Sequence, residues 1–153
     1  MVTKTVEIND KGFNQAIEAL ERLGRMSVKI GIQADSANDK YDNGASVLDV
    51  AIFNEFGTDK IPSRPFIRQC FALHSDMAAQ MLGKVAKAVS RGGDPKMAMS
   101  QLGEWYQGKM KHTLLNYAWQ PNSPATIKRK KSSKPLVDTG QLVNSIRYEV
   151  LNE

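Results

Sequence analysis

Cysteine is nearly absent from this chain, and so are histidine and any long apolar run. The lone Cys70 excludes an intrachain disulfide and suits a reducing compartment. It lies in F-I-R-Q-C-F-A-L, among large apolar residues, and reads as a buried inert thiol. His74 and His112 fall on separate predicted helices without Cys or carboxylate at ligand spacing, so no metal site and no cofactor are expected. No apolar stretch approaches the length of a membrane span, and M-V-T-K-T-V-E-I-N-D lacks the basic-then-apolar build of a signal peptide. There is no P-loop, dinucleotide fingerprint or Gly-x-Ser-x-Gly elbow.

What remains is an ordinary globular composition over 153 residues, expected to form one structural domain. Its net charge of +5 conceals a division. Residues 1–59 hold six Lys/Arg against ten Asp/Glu, whereas residues 60–153 hold fifteen against six. Either the protein has an acidic and a basic surface suited to complementary partners or nucleic acid, or the two halves interleave into a mixed surface.

The pattern along the chain is α+β. Asn9 or Asp10 can cap a first helix with Phe13, Ala16, Ile17, Leu20 and Leu23 on one face and Gly24 at its end. M-S-V-K-I-G-I-Q alternates as a half-buried strand. A polar loop follows, in which Asp35, Asp39 and Asp42 lack calcium-loop spacing and read as solvated carboxylates. Ser46 and Asp49 form a capping box opening a short helix that ends at Gly57. Pro62 and Pro65 then stiffen an extended crossing, and Pro65 suits the first turn of a longer helix. Phe66, Cys70, Leu73, Met77, Met81, Val85 and Val89 mark the inward stripe of that helix. Asp94 and Pro95 restart a second long helix with Met99, Leu102, Trp105 or Tyr106, Met110 and Leu114 inward, giving an antiparallel pair.

From 118 to 137 the periodicity lapses, which predicts an extended or mobile basic arm. Lys128, Arg129, Lys130, Lys131 and Lys134 place five cations in seven positions of this arm. They suit either a solvated loop or a salt-sensitive contact with phosphates or an acidic partner. Without interleaved aromatics, sequence-specific base readout is not expected. A short helix and a last strand close the chain, with Ile146, Tyr148 and Val150 on one side. The expected fold is thus a small mixed or antiparallel sheet packed against several helices, including a central helical pair, with a long extended loop near the C-terminus.

One tripeptide suggests chemistry. Asp138-Thr139-Gly140 reads like half of an aspartic-protease site, but such a site needs two carboxylates sharing one proton, and no second copy occurs. The competing reading makes Asp138 a helix N-cap, with Gln141 reaching back and Val137 and Leu142 forming a hydrophobic staple. On that reading Asp138→Ala costs about 1 kcal/mol and abolishes no reaction. No enzymatic activity is expected.

Three segments taken together carry a family resemblance. A-I-F-N-E-F-G-T-D-K-I-P-S-R-P-F-I-R (51–68), S-P-A-T-I-K-R-K (123–130) and P-L-V-D-T-G-Q-L-V-N-S-I (135–146) resemble the neck and tail-completion proteins of tailed bacteriophages, which are virion-morphogenesis or minor tail components. Glu55, Phe56, Gly57, Thr58, Ile61, Pro62, Arg64, Pro65 and Phe66 match the first part of the pattern. Pro135, Leu136, Asp138, Thr139, Gly140, Leu142, Ser145 and Ile146 match the last. The resemblance implies a non-enzymatic structural protein of the virion, assembled in the host cytoplasm. It implies a homo-oligomeric ring, commonly sixfold, at the head-proximal end of the tail, docking the tail tube to a head connector or stopper with DNA in the lumen. On physical grounds, Arg64 is expected to pair with a carboxylate such as Glu55 and fix the proline crossing. The alternative is a non-catalytic basic protein that binds nucleic acid non-specifically through 128–134.

Overall fold

The computed structural model describes residues 10–152. Among them lie seven helices and one antiparallel pair of strands, an α+β fold. In chain order these are α1 (Lys11–Gly24), β1 (Met26–Ile32), α2 (Ala34–Ala37), α3 (Val47–Phe56), α4 (Phe66–Ser90), α5 (Pro95–Asn116), α6 (Pro124–Lys130), α7 (Gln141–Ser145) and β2 (Ile146–Asn152).

The sheet forms because both strands carry the period-two pattern. Ile32 pairs with Ile146, Ile30 with Tyr148 and Val28 with Val150, so apolar residues meet across the ladder. α5 packs against both strands and against α4. Gly103 on α5 permits this approach, because a Cβ there would come within 2.4 Å of the Tyr148 ring. The antiparallel α4–α5 pair turns through Gly92 and Gly93, and the Asp94 carboxylate caps α5 by accepting from the Met97 N–H at 2.7 Å.

Two apolar groups form the core. In the larger, Val47, Ala51, Phe66, Cys70, Tyr106, Met110, Leu114, Leu136, Leu142 and Ile146 join α3, the start of α4, the end of α5 and the C-terminal turn. In the smaller, Val85 and Val89 near the end of α4 meet Met99 at the start of α5, with Leu23 and Val28 beside them. Burial raises the Cys70 thiol pKa, consistent with an inert core cysteine.

Several expectations need correction. α4 spans both core groups, so its ends are buried while Leu73 and Met77 in the middle of the predicted stripe are exposed. α1 has no buried residue, and Phe13 on its predicted inward face is 68% exposed. Asp10 occupies the N-cap of α1 without a side-chain bond, and the alternative cap Asn9 lies outside the described residues. Pro65 sits at the N-cap of α4, one position before the first turn. Asp35 is paired with Arg147 across the sheet end instead of being merely solvated. The segment expected to be extended contains α6, capped by Ser123, whose hydroxyl accepts from the Thr126 N–H at 3.3 Å, and begun by Pro124. Among the described residues, no helix is long and apolar enough to cross a membrane.

Candidate functional site: where the three signature segments meet

The first signature builds a corner. α3 opens with the expected capping box: the Ser46 hydroxyl accepts from the Asp49 N–H at 3.0 Å while Asp49 accepts from the Ser46 N–H at 3.2 Å. It closes at Gly57, which has φ 79 and backs onto the Ser63 nitrogen and Ile61 oxygen at 3.0 and 3.1 Å from a would-be Cβ. Thr58 ties the turn, its hydroxyl accepting from the Ile61 N–H at 3.0 Å. The chain then passes through Ile61 and Pro62 and enters α4 at Phe66, which is fully buried.

Glu55 holds that corner, though not through the expected partner. Its carboxylate accepts from the Ile67 N–H at 2.9 Å and the Arg68 N–H at 3.1 Å, capping α4 from a distant helix. The ion pair of Glu55 is with Arg68 at 3.0 Å, not with Arg64. The Arg68 guanidinium also lies over the exposed Phe56 ring at 5.1 Å. Helical geometry explains the substitution. Once the Glu55 carboxylate caps the first turn of α4, the side chain of the N3 residue is within reach, whereas Arg64 lies before the helix.

Arg64 points the other way and clasps the arm. Its Nε donates to the Gln120 carbonyl at 2.8 Å, Nη2 to the Pro121 carbonyl at 3.1 Å and Asn122 Oδ1 at 3.2 Å, and Nη1 to Asn54 Oδ1 at 3.3 Å. Asn122 continues the clasp by donating to the Ser133 and Lys134 carbonyls at 3.4 and 3.2 Å. A buried Arg and a buried Asn therefore join the two ends of the loop that carries α6. Asn122 escaped the sequence reading because P-N-S-P looks like turn punctuation. Its only signal was an amide directly before a Ser-Pro helix start.

The basic residues are divided by this arrangement. Lys128, Arg129 and Lys130 occupy the last turn of α6, where cations suit the negative helix end. Lys131 ends it in a left-handed conformation, φ 53. Lys128, Arg129, Lys131 and Lys134 are exposed, but Lys130 is half-buried and lines one recess with Asp138. Desolvation lowers the Lys130 pKa, and the Asp138 charge opposes that shift.

The last signature is a packing device. Pro135 and Leu136 form a turn in which Leu136 adopts φ 61 and is buried. Gly140 at φ 84 takes the N-cap position of α7. Asp138, expected at the cap, thus lies two residues before it and makes no capping bond. Thr139 does the local work, its hydroxyl accepting from the Gln141 N–H at 3.4 Å and donating to Gln141 Oε1 at 3.1 Å. The staple between Val137 and Leu142 lapses with that shift, since those residues no longer flank the cap in register. Leu142 and Ile146 enter the core, and the buried Ser145 hydroxyl donates to the Leu142 carbonyl at 2.8 Å.

A polar cleft of about 540 Å³ opens where the three segments converge, lined by Arg64, Asn122, Thr126, Lys130, Asp138 and Thr139 among others. On the far side, α1, β1, α4 and α5 frame an apolar groove of about 760 Å³. No protein-family model, curated protein or solved structure matches the chain.

Proposed function

We propose that this protein is a structural subunit of a tailed-bacteriophage neck, acting by assembly as a ring at the head-proximal end of the tail. The observation that carries the reading is the outer face of α3. Only Asp49, Asn54 and Glu55 are polar in that helix, and a helix apolar on all sides is ordinarily buried on all sides. Here one row, Val47, Ala51 and Glu55, is buried, while the neighbouring row of Leu48, Ile52 and Phe56, with Phe53 beside it, faces solvent. Apolar surface of this kind marks a protein–protein contact. Ile52, Phe53 and Phe56 belong to the first signature segment, so the resemblance to tail-completion proteins and most of the exposed face bear on the same residues.

Assembly follows the symmetry of such contacts. A heterologous interface repeated around an axis closes into a ring, sixfold in the favoured form. The tail tube and a head connector or stopper are the partners above and below, and the exposed cations of α6 are suited to DNA in the lumen. The subunit has no catalytic step to perform, and its place is the virion after assembly in the host cytoplasm.

Sizing by light scattering with negative-stain imaging tests the proposal. A closed ring, or incorporation between head and tail of particles, is the expected result. A monomer that retards DNA at low salt through residues 128–134 and never enters particles would replace it with non-specific nucleic-acid binding.

A further inference from the structure

The charge in the polar cleft is unbalanced. Lys60, Arg64, Arg129 and Lys130 line it against Asp42 and Asp138, four cations facing two carboxylates. The four bonds of the buried Arg64 all go to neutral oxygens, which solvate the guanidinium without cancelling its charge. The ion pairs among the described residues, Arg68–Glu55 and Arg147–Asp35, lie outside the cleft, and Lys130 feels the Asp138 charge without a direct ion pair to it. An excess of two positive charges in a recess matches a phosphate monoester, which carries about −1.5 to −2 near neutral pH.

The lining of the cleft also includes the apolar residues Val50, Phe53, Pro62 and Leu136. Its volume of about 540 Å³ falls within the range of small-molecule sites and exceeds the needs of a bare anion. Cationic and apolar lining in one recess suits a phosphorylated organic molecule.

We propose that this cleft is a binding site for a phosphate monoester, with the phosphoryl group held by Arg129 and Lys130 and the organic body against Phe53 and Leu136. Inorganic phosphate, a mononucleotide and the 5′-terminal phosphate of a nucleic-acid strand share the recognised chemistry. The site does not depend on ring assembly. Burial of Lys130, which lowers its pKa, adds to the force for pairing because a bound dianion restores the favoured charged form.

Calorimetric titration of the full chain provides the test, with inorganic phosphate, adenosine 5′-monophosphate, adenosine, and one short oligonucleotide with and without a 5′-phosphate as probes. The monophosphate is expected to bind more tightly than inorganic phosphate, and adenosine not at all. Loss of a charge-assisted hydrogen bond in Lys130→Gln or Arg129→Gln weakens monophosphate binding about tenfold or more. Lys96→Gln, exposed on α5 and outside the cleft lining, leaves it unchanged, and thermal melts of all three variants verify folding. Preference for the 5′-phosphorylated oligonucleotide assigns the site to strand ends; monophosphate binding without that preference assigns it to free small molecules. No binding of either inorganic phosphate or the monophosphate overturns the proposal. So does adenosine binding as tightly as its monophosphate, or equal loss in Lys96→Gln and Lys130→Gln.

Discussion

Replacing Glu55 by Ala is the sharpest perturbation of the corner between α3 and α4. The side chain is 5% exposed by residue and satisfies two backbone donors of α4, at 2.9 and 3.1 Å. A hydrogen bond to a charged group contributes about 1.5–3 kcal/mol, and water entering at the partly exposed helix end recovers some of the loss. The expected cost is therefore about 3 kcal/mol. The Arg68 pair adds little to this, because the Arg68 side chain is 59% exposed and solvent screens it. For a chain of this size the loss lowers Tm by about 6–12 °C. Urea unfolding followed by circular dichroism measures it. Glu55→Gln, which keeps a carbonyl acceptor for one N–H, is expected to lose about half as much, and Arg68→Ala less than about 1 kcal/mol. A Glu55→Ala cost below about 1 kcal/mol, or an Arg68→Ala cost equal to it, refutes the capping role.

Three further outcomes are expected. Thr139→Ala costs about 0.5–1 kcal/mol through the lost turn bond, while Asp138→Ala stays within about 0.5 kcal/mol, and denaturant midpoints decide between them. Gly103→Ala destabilises by about 1 kcal/mol or more by crowding Tyr148, whereas Gly108→Ala, with open space around it, stabilises by about 0.5–1 kcal/mol; calorimetric melts read the opposite signs. Hydrogen bonds from Ser46 hold the Asp49 pKa below the usual 3.8, and the bond from Arg147 does the same for Asp35. Their contribution is present above the unfolded value and is lost as pH falls through the lowered folded values, so Asp49→Asn flattens the decline in urea midpoint between about pH 5 and pH 2.

The elements with strong local signals were legible. The Ser46–Asp49 box, the Gly57 stop, the Asp94–Pro95 start and the alternation of Ile146, Tyr148 and Val150 each follow from neighbours within one turn or strand. The partners across the chain were not. Nothing local tells which carboxylate Arg64 takes: the backbone of α4 and Arg68 take Glu55, and Arg64 turns to the loop beyond α5. Periodicity gave α4 a single stripe, whereas two core groups bury its ends and leave Leu73 and Met77 outside. Asp138 was read as a cap from spacing alone. The left-handed residues Leu136 and Gly140 move the helix start, and only glycine announces such a conformation in a sequence. The convergence of the signatures on one cleft is a tertiary fact with no local trace.

Assembly through the outer face of α3 is tested most directly by comparing the mass and image of the purified protein with those of Ile52→Glu. Ile52 is 43% exposed, so the charge is expected to change folding stability by no more than about 0.5 kcal/mol. A closed ring, sixfold in the favoured form, that falls to monomers in Ile52→Glu with an unaltered melt is the expected result. A wild-type protein that stays monomeric at every concentration and never enters particles, or a ring indifferent to Ile52→Glu, contradicts it.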